Sequence, residues 1–104
     1  MEFVLIDTFT VPEESKAEFQ QAAASAQTFI RTLPGFVEGF IYEQMNGESS
    51  INFLTTAVWK NEEAFENAKK AVFAEYQRTG YDPQLTRKKL GIEQTRSTYT
   101  RKPY

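Results

Sequence analysis

The sequence predicts an α+β domain of order β-α-β-β-α-β, with one four-stranded antiparallel sheet and two helices on one of its faces. Three observations carry this. Two stretches repeat apolar residues at i, i+3, i+4 and i+7, and four others are rich in β-branched and aromatic side chains. An Asn-Gly pair separates the second and third strands, as in a hairpin. Right-handed crossovers then place both helices on the same side of the sheet. At 104 residues the chain has length for a single domain, taken as 1–104.

The elements follow in order. Residues 2–11, EFVLIDTFTV, are the first strand. One face reads Phe3, Leu5, Asp7, Phe9, Val11, and the other Val4, Ile6, Thr8, Thr10. Pro12 ends it. Ser15 and Glu18 fit a capping box opening the first helix, with Ser15 as cap and Glu18 reaching back. That helix has one apolar stripe, from Phe19 through Ala22, Ala23 and Ala26 to Phe29, Ile30 and Leu33. Pro34 and Gly35 stop it.

Residues 36–45 and 51–59 are the second and third strands, and Asn46-Gly47 between them predicts a type I′ turn. Asn61 caps the second helix, with Glu62 and Glu63 favourable in its first turn. Its stripe runs through Ala64, Phe65, Ala68, Val72, Phe73 and Tyr76, and Gly80 closes it. Residues 82–91 read as a turn plus a short helix. Residues 92–100 read as a last strand, either at the edge of this sheet or in an arm reaching a partner subunit.

Composition excludes several chemistries. With no cysteine there is no disulfide, thiolate or Fe–S chemistry. With no histidine the commonest metal ligand and general base is missing, and no carboxylate cluster replaces it, so no metal is expected. The 12 basic and 14 acidic residues are interspersed and sum to −2, so nucleic acid is not an expected partner. No run approaches the ~20 apolar residues of a membrane span. The first residues lack the basic segment of a signal peptide, so the expected location is the cytoplasm.

The first three strands are apolar on both faces, whereas a one-sided sheet alternates apolar with polar. Nine Phe, five Tyr and one Trp are also many for so small a core. They point to a second apolar surface. The helices leave one sheet face bare, and the expected cover is a second copy of the chain. Burying roughly 600 Å² per subunit contributes about 15 kcal/mol gross, before association costs of several kcal/mol.

Residues 3–73 resemble the antibiotic biosynthesis monooxygenase superfamily. The resemblance rests on FTVPEESKAEF, the LPGFVEGFIYEQ join, the NG hairpin and TTAVWKNEEAFENA. It implies ferredoxin-like subunits paired as a homodimeric α/β barrel. Its members include oxygenases of polyketide quinols that need no cofactor, heme-degrading enzymes, and proteins without assigned activity. The heme-degrading branch carries a histidine near Gln77, a tryptophan near Ala68 and an asparagine at Asp7, so heme degradation is not expected here. The polyketide-oxidising branch matches at Trp59. Its asparagine is Thr55 in this chain and its tyrosine is Phe65.

Oxygenation without a cofactor needs a base, a dry pocket and donors aimed at a developing oxyanion. Asp7 is the candidate base, on an otherwise apolar strand face. An unpaired carboxylate there loses solvation, which disfavours its charged form. Alternatively Asp7 pairs with an arginine or caps a backbone group. Trp59 offers an N–H donor and a flat apolar wall, or else plugs the core. Thr55 can donate or accept, or simply populate a strand. The expected substrate is a small aromatic, quinol-like molecule, with Phe40, Phe53, Phe65, Phe73 and Tyr76 as walls. The alternative is a dimeric protein that binds a small apolar ligand without catalysis.

Overall fold

The computed structural model describes residues 1–103. Its elements are β1 (Phe3–Thr10), a 3-10 turn (Glu13–Ser15), α1 (Lys16–Ile30), β2 (Phe36–Glu43), β3 (Phe53–Trp59), α2 (Glu62–Thr79), α3 (Pro83–Leu90) and β4 (Glu93–Thr100). The strands lie in the order β2-β3-β1-β4, and all neighbours are antiparallel. This is the expected ferredoxin-like sheet. The molecule is a slab of 40 × 37 × 18 Å, one sheet and one layer of helices deep.

β1 and β3 are the central pair, and their register sorts the two faces. Phe3, Leu5, Asp7 and Phe9 oppose Trp59, Ala57, Thr55 and Phe53 on the helix side. Two apolar clusters form there. One joins Ala57 and Trp59 to Phe65 and Ala68 of α2, with Phe3 and Phe36 packed against it. The other joins Val11, Phe19 and Phe53. Phe3 stacks on Phe65 at 4.7 Å between centroids, and Phe19 meets Phe9 at 4.7 Å and Phe53 at 4.8 Å.

Caps behave largely as their chemistry dictates. Asn61 Oδ1 accepts from Ala64 N at 2.9 Å, and Gly80 closes α2 at φ 73°. The short helix expected within 82–91 is α3, capped by Asp82 and ended by Gly91. β4 pairs with β1 of its own chain, and Arg101 just beyond it contacts Glu2 and Glu38. β4 is thus an edge strand of its own chain's sheet.

Two local expectations are corrected. The Ser15 capping box does not form: Ser15 is buried, and its Oγ donates to the Leu90 carbonyl at 2.7 Å. A tertiary bond to α3 replaces the local one. The Asn46-Gly47 type I′ turn does not form either. Only Gly47 of that pair has positive φ, and β2 and β3 stop at Glu43 and Phe53, leaving a longer loop. Asn52 anchors this loop instead, exchanging bonds of 2.9 and 2.8 Å with Val11 N and O. The side-chain tie fixes the approach to β3, so a tight turn is not needed.

Candidate functional site

α1 borders the space over the sheet with Ala22, Ala23 and Ala26, and α2 borders it with Ala68. Side chains that small do not fill the space over the strands. A cavity of about 230 Å³ remains between the sheet and the helices. It opens outward, past Ala26, Val72 and Tyr76, into a groove of about 720 Å³ between α1 and α2. α3 and β4 complete the cavity wall with Arg87, Leu90, Gln94 and Arg96.

Five of the residues singled out from the sequence converge here: Asp7, Thr55, Trp59, Phe65 and Tyr76. Trp59 is only 2% exposed and meets Phe36 edge-on at 5.4 Å. It is therefore part of the core and of the cavity wall at once. Its indole N–H is buried without a hydrogen-bond partner among the described residues. Gln27 Oε1 is in the same condition, although Gln27 Nε2 donates to the Thr56 carbonyl at 3.1 Å. Gly39 lets this amide lie on the sheet, since a Cβ there would come within 2.6 Å of Gln27 Oε1. A buried donor and a buried acceptor without partners each cost free energy.

Asp7 lies opposite Arg96 in the β1–β4 register. Arg96 Nε donates to Asp7 Oδ1 at 2.8 Å, and Nη2 donates to Oδ2 at 3.0 Å. The unpaired carboxylate envisaged from the sequence is thus a bidentate ion pair, the alternative also left open there. The hydrogen bond to Asp7 raises the Arg96 pKa, against the opposing pull of burial. Burial pushes the Tyr76 phenol up, with Tyr81 adding to the effect and Arg96 and Arg87 opposing it. Tyr76 therefore stays a protonated donor at neutral pH. Its ring lies 5.0 Å from that of Tyr81 at the mouth of the cavity.

Three expected wall residues lie elsewhere. Phe40 is 47% exposed on the opposite sheet face, next to Tyr42. The reason is a bulge between Phe36 and Glu38. Phe36 faces the helices, and unbroken alternation would carry Phe40 there too. The extra residue flips the phase, so Gly39 and Ile41 turn inward. Phe73 is 63% exposed, because at ~100° per residue it sits about 80° around α2 from Phe65. Phe53 is sealed in the core at 1% exposure, beneath Phe19. Sequence reasoning missed Gln27, Arg87 and Arg96. Gln27 carries a readable signal, an amide that continues the Ala23 face of α1 one turn on. Arg96 becomes visible only once β4 is registered against Asp7.

Among the described residues no cluster of three or more His, Cys, Asp or Glu could hold a metal ion. No helix among them is long and apolar enough to cross a membrane.

Comparison with known proteins agrees with this architecture. The family model described as antibiotic biosynthesis monooxygenase matches residues 2–79. No curated protein matches by sequence. Among solved structures, a Shewanella loihica protein is similar at TM-score 0.75 and 16% identity, over 99% of this chain and 96% of that one. SnoaB, a cofactor-independent oxygenase from Streptomyces nogalater, is similar at TM-score 0.72 and 23% identity, over 99% and 95%. A heme-degrading protein from Mycobacterium tuberculosis is similar at TM-score 0.59 and 23% identity, over 66% and 78%. At such identities these likenesses establish the fold. The family match spans three-quarters of the chain, from β1 through α2, and the chain belongs to the antibiotic biosynthesis monooxygenase family.

Proposed function

We propose that the protein is a cofactor-independent monooxygenase acting on a small aromatic, quinol-like substrate held between sheet and helices. The observation that carries this is the cavity wall: mostly apolar, yet including Trp59, whose buried indole N–H has no hydrogen-bond partner among the described residues. A donor kept dry and unmet in the resting protein is available to an oxyanion that develops later. The substrate supplies all the electrons. A ring CH₂ and O₂ become C=O and water, so no reductant or metal is required.

In this reading Asp7 accepts the substrate proton. Each of its oxygens accepts one Arg96 N–H and keeps a lone pair free. The resulting carbanion reduces O₂. Trp59 then donates to the peroxide oxygen, while Thr55, opposite Asp7 in the β1–β3 register, orients the substrate. The cofactor-independent oxygenase SnoaB shares this fold, which supports the assignment.

A second copy of the chain is the proposed cover for the open sheet face. Phe40, Tyr42 and Tyr99 are 47–52% exposed. Phe40 and Tyr42 oppose Thr56 and Leu54, and Tyr99 opposes Val4, so all three lie on that face. The exposed area, 7328 Å², exceeds the ~6,000 Å² usual for a monomer of this mass.

One observation favours a non-catalytic ligand-binding protein instead. Phe65, where the related oxygenases carry a tyrosine, is locked against Phe3 and offers no hydroxyl. Oxygen-electrode screening with quinols and flavonoids separates the readings. Substrate-dependent O₂ uptake is expected; thermal stabilisation without uptake would establish the binder.

A further inference from the structure

The Asn46-Gly47 pair sits in the β2–β3 loop without the tight turn that would hold its backbone. Both residues are exposed, and Met45 beside them is 95% exposed. The loop's own bonds bracket the pair and leave it free. Gln44 N donates to the Asn52 carbonyl at 2.8 Å, Gln44 Nε2 to the Ser49 carbonyl at 3.3 Å, and Ile51 N to Ser49 Oγ at 3.1 Å. Neither the Asn46 side-chain amide nor the Gly47 N–H has a hydrogen-bond partner among the described residues. Gly47 stands at φ 145°, and a Cβ there would meet only the Gln44 side chain within 4 Å. No packed element shields the pair, and no side chain on Gly47 hinders its nitrogen.

An exposed primary amide next to an unshielded backbone nitrogen is a reactive arrangement. We propose that Asn46 is a modification site, at which the folded protein deamidates through a cyclic imide formed with Gly47. The Gly47 nitrogen bonds to Asn46 Cγ, the Cγ–Nδ2 bond breaks, and ammonia leaves with the Gly47 proton. Water then opens the imide. Opening at Cγ gives aspartate, and opening at the backbone carbonyl gives isoaspartate, whose main chain runs through the former side chain. The reactants are the chain and water alone. Either product adds a negative charge to a chain of net charge −2. Isoaspartate also lengthens the backbone of the β2–β3 loop.

The other three asparagines are held against this reaction. Asn52 exchanges hydrogen bonds with Val11 N and O, and Phe53 after it is sealed in the core. Asn61 Oδ1 accepts from Ala64 N, and Glu62 after it opens α2. Asn67 lies inside α2, where the Ala68 N–H belongs to the helix ladder. The fold thus singles out Asn46. The inference is independent of the cavity and of any ligand in it.

The test is peptide mapping by mass spectrometry of the full chain, incubated folded in neutral buffer and, in parallel, unfolded in guanidinium. Isoaspartate is counted by methyl transfer from S-adenosylmethionine with an isoaspartyl carboxyl methyltransferase. In the folded chain the amide should be lost at Asn46 and kept at Asn52, Asn61 and Asn67. Its rate at Asn46 should lie within a few-fold of that in the unfolded chain, with isoaspartate in excess over aspartate. Asn46→Gln should keep its amide over the same period, because its longer side chain closes an imide ring far less readily. Conversion of Asn46 in the unfolded chain but not in the folded one overturns the proposal, since the loop then shields it. Aspartate without isoaspartate, or equal loss of amide in Asn46→Gln, overturns the imide route. Equal conversion at all the asparagines of the folded chain overturns the selectivity.

Discussion

Replacing Asp7 with Asn tests both halves of the site's chemistry. Asp7 is 7% exposed and takes two charge-assisted hydrogen bonds from Arg96. Such bonds contribute roughly 1.5–3 kcal/mol each in buried surroundings. The Arg96 side chain is half exposed, at 52%, so water recovers much of what it loses when the pair breaks. Asn keeps one acceptor oxygen but turns an NH₂ group toward the guanidinium. A net destabilisation of about 1–3 kcal/mol in urea unfolding follows. Oxygen uptake should fall about 10²–10⁴-fold, the range for a lost general base. The double variant Asp7→Asn/Arg96→Gln should be less destabilised than the sum of the single changes, since both report one contact. Uptake unchanged in a folded Asp7→Asn protein would remove Asp7 from the mechanism. A strictly additive double variant would show that the pair contributes no coupling.

Three further outcomes are expected. Trp59→Phe removes a buried, unmet N–H along with some volume, so stability should change by less than about 1.5 kcal/mol while uptake drops about 10²-fold or more. Ser15→Ala leaves the Leu90 carbonyl without its donor; unfolding should cost about 1–2 kcal/mol less, and hydrogen exchange in α3 should quicken. Tyr76 has its phenol pKa raised by burial, so the folded state holds that proton more tightly than the unfolded chain. Its contribution is whole below about pH 10 and lost as pH rises through the higher folded value. Tyr76→Phe should therefore lose less stability than the wild type in alkaline urea titrations.

The fold was legible because its two periodicities are clean. Phe3, Leu5, Phe9 and Val11 repeat every second residue, and Phe65, Ala68, Val72 and Tyr76 recur at helical spacing. Asp7, Thr55 and Trp59 were legible as neighbours in one cavity wall because all three share the phase that faces the helices. What stayed hidden depends on pairing across the chain. The bulge that turns Phe40 outward is defined by β2 against β3, not by β2 alone. Arg96 finds Asp7 89 residues away, and Ser15 finds Leu90 75 residues away. No local pattern encodes either contact. Asn46-Gly47 shows the converse, a strong local signal overridden by the Asn52–Val11 tie.

The central claim is that an aromatic ligand lodges against Trp59 in the cavity between sheet and helices. The chain has one tryptophan, so its fluorescence reports on that wall alone. Titration with 1,4-naphthohydroquinone under anaerobic conditions should quench the emission saturably, at one ligand per chain, and Phe73→Ala should leave the quenching intact. Calorimetric binding of the same ligand with no change in Trp59 emission would place the ligand elsewhere and contradict the account.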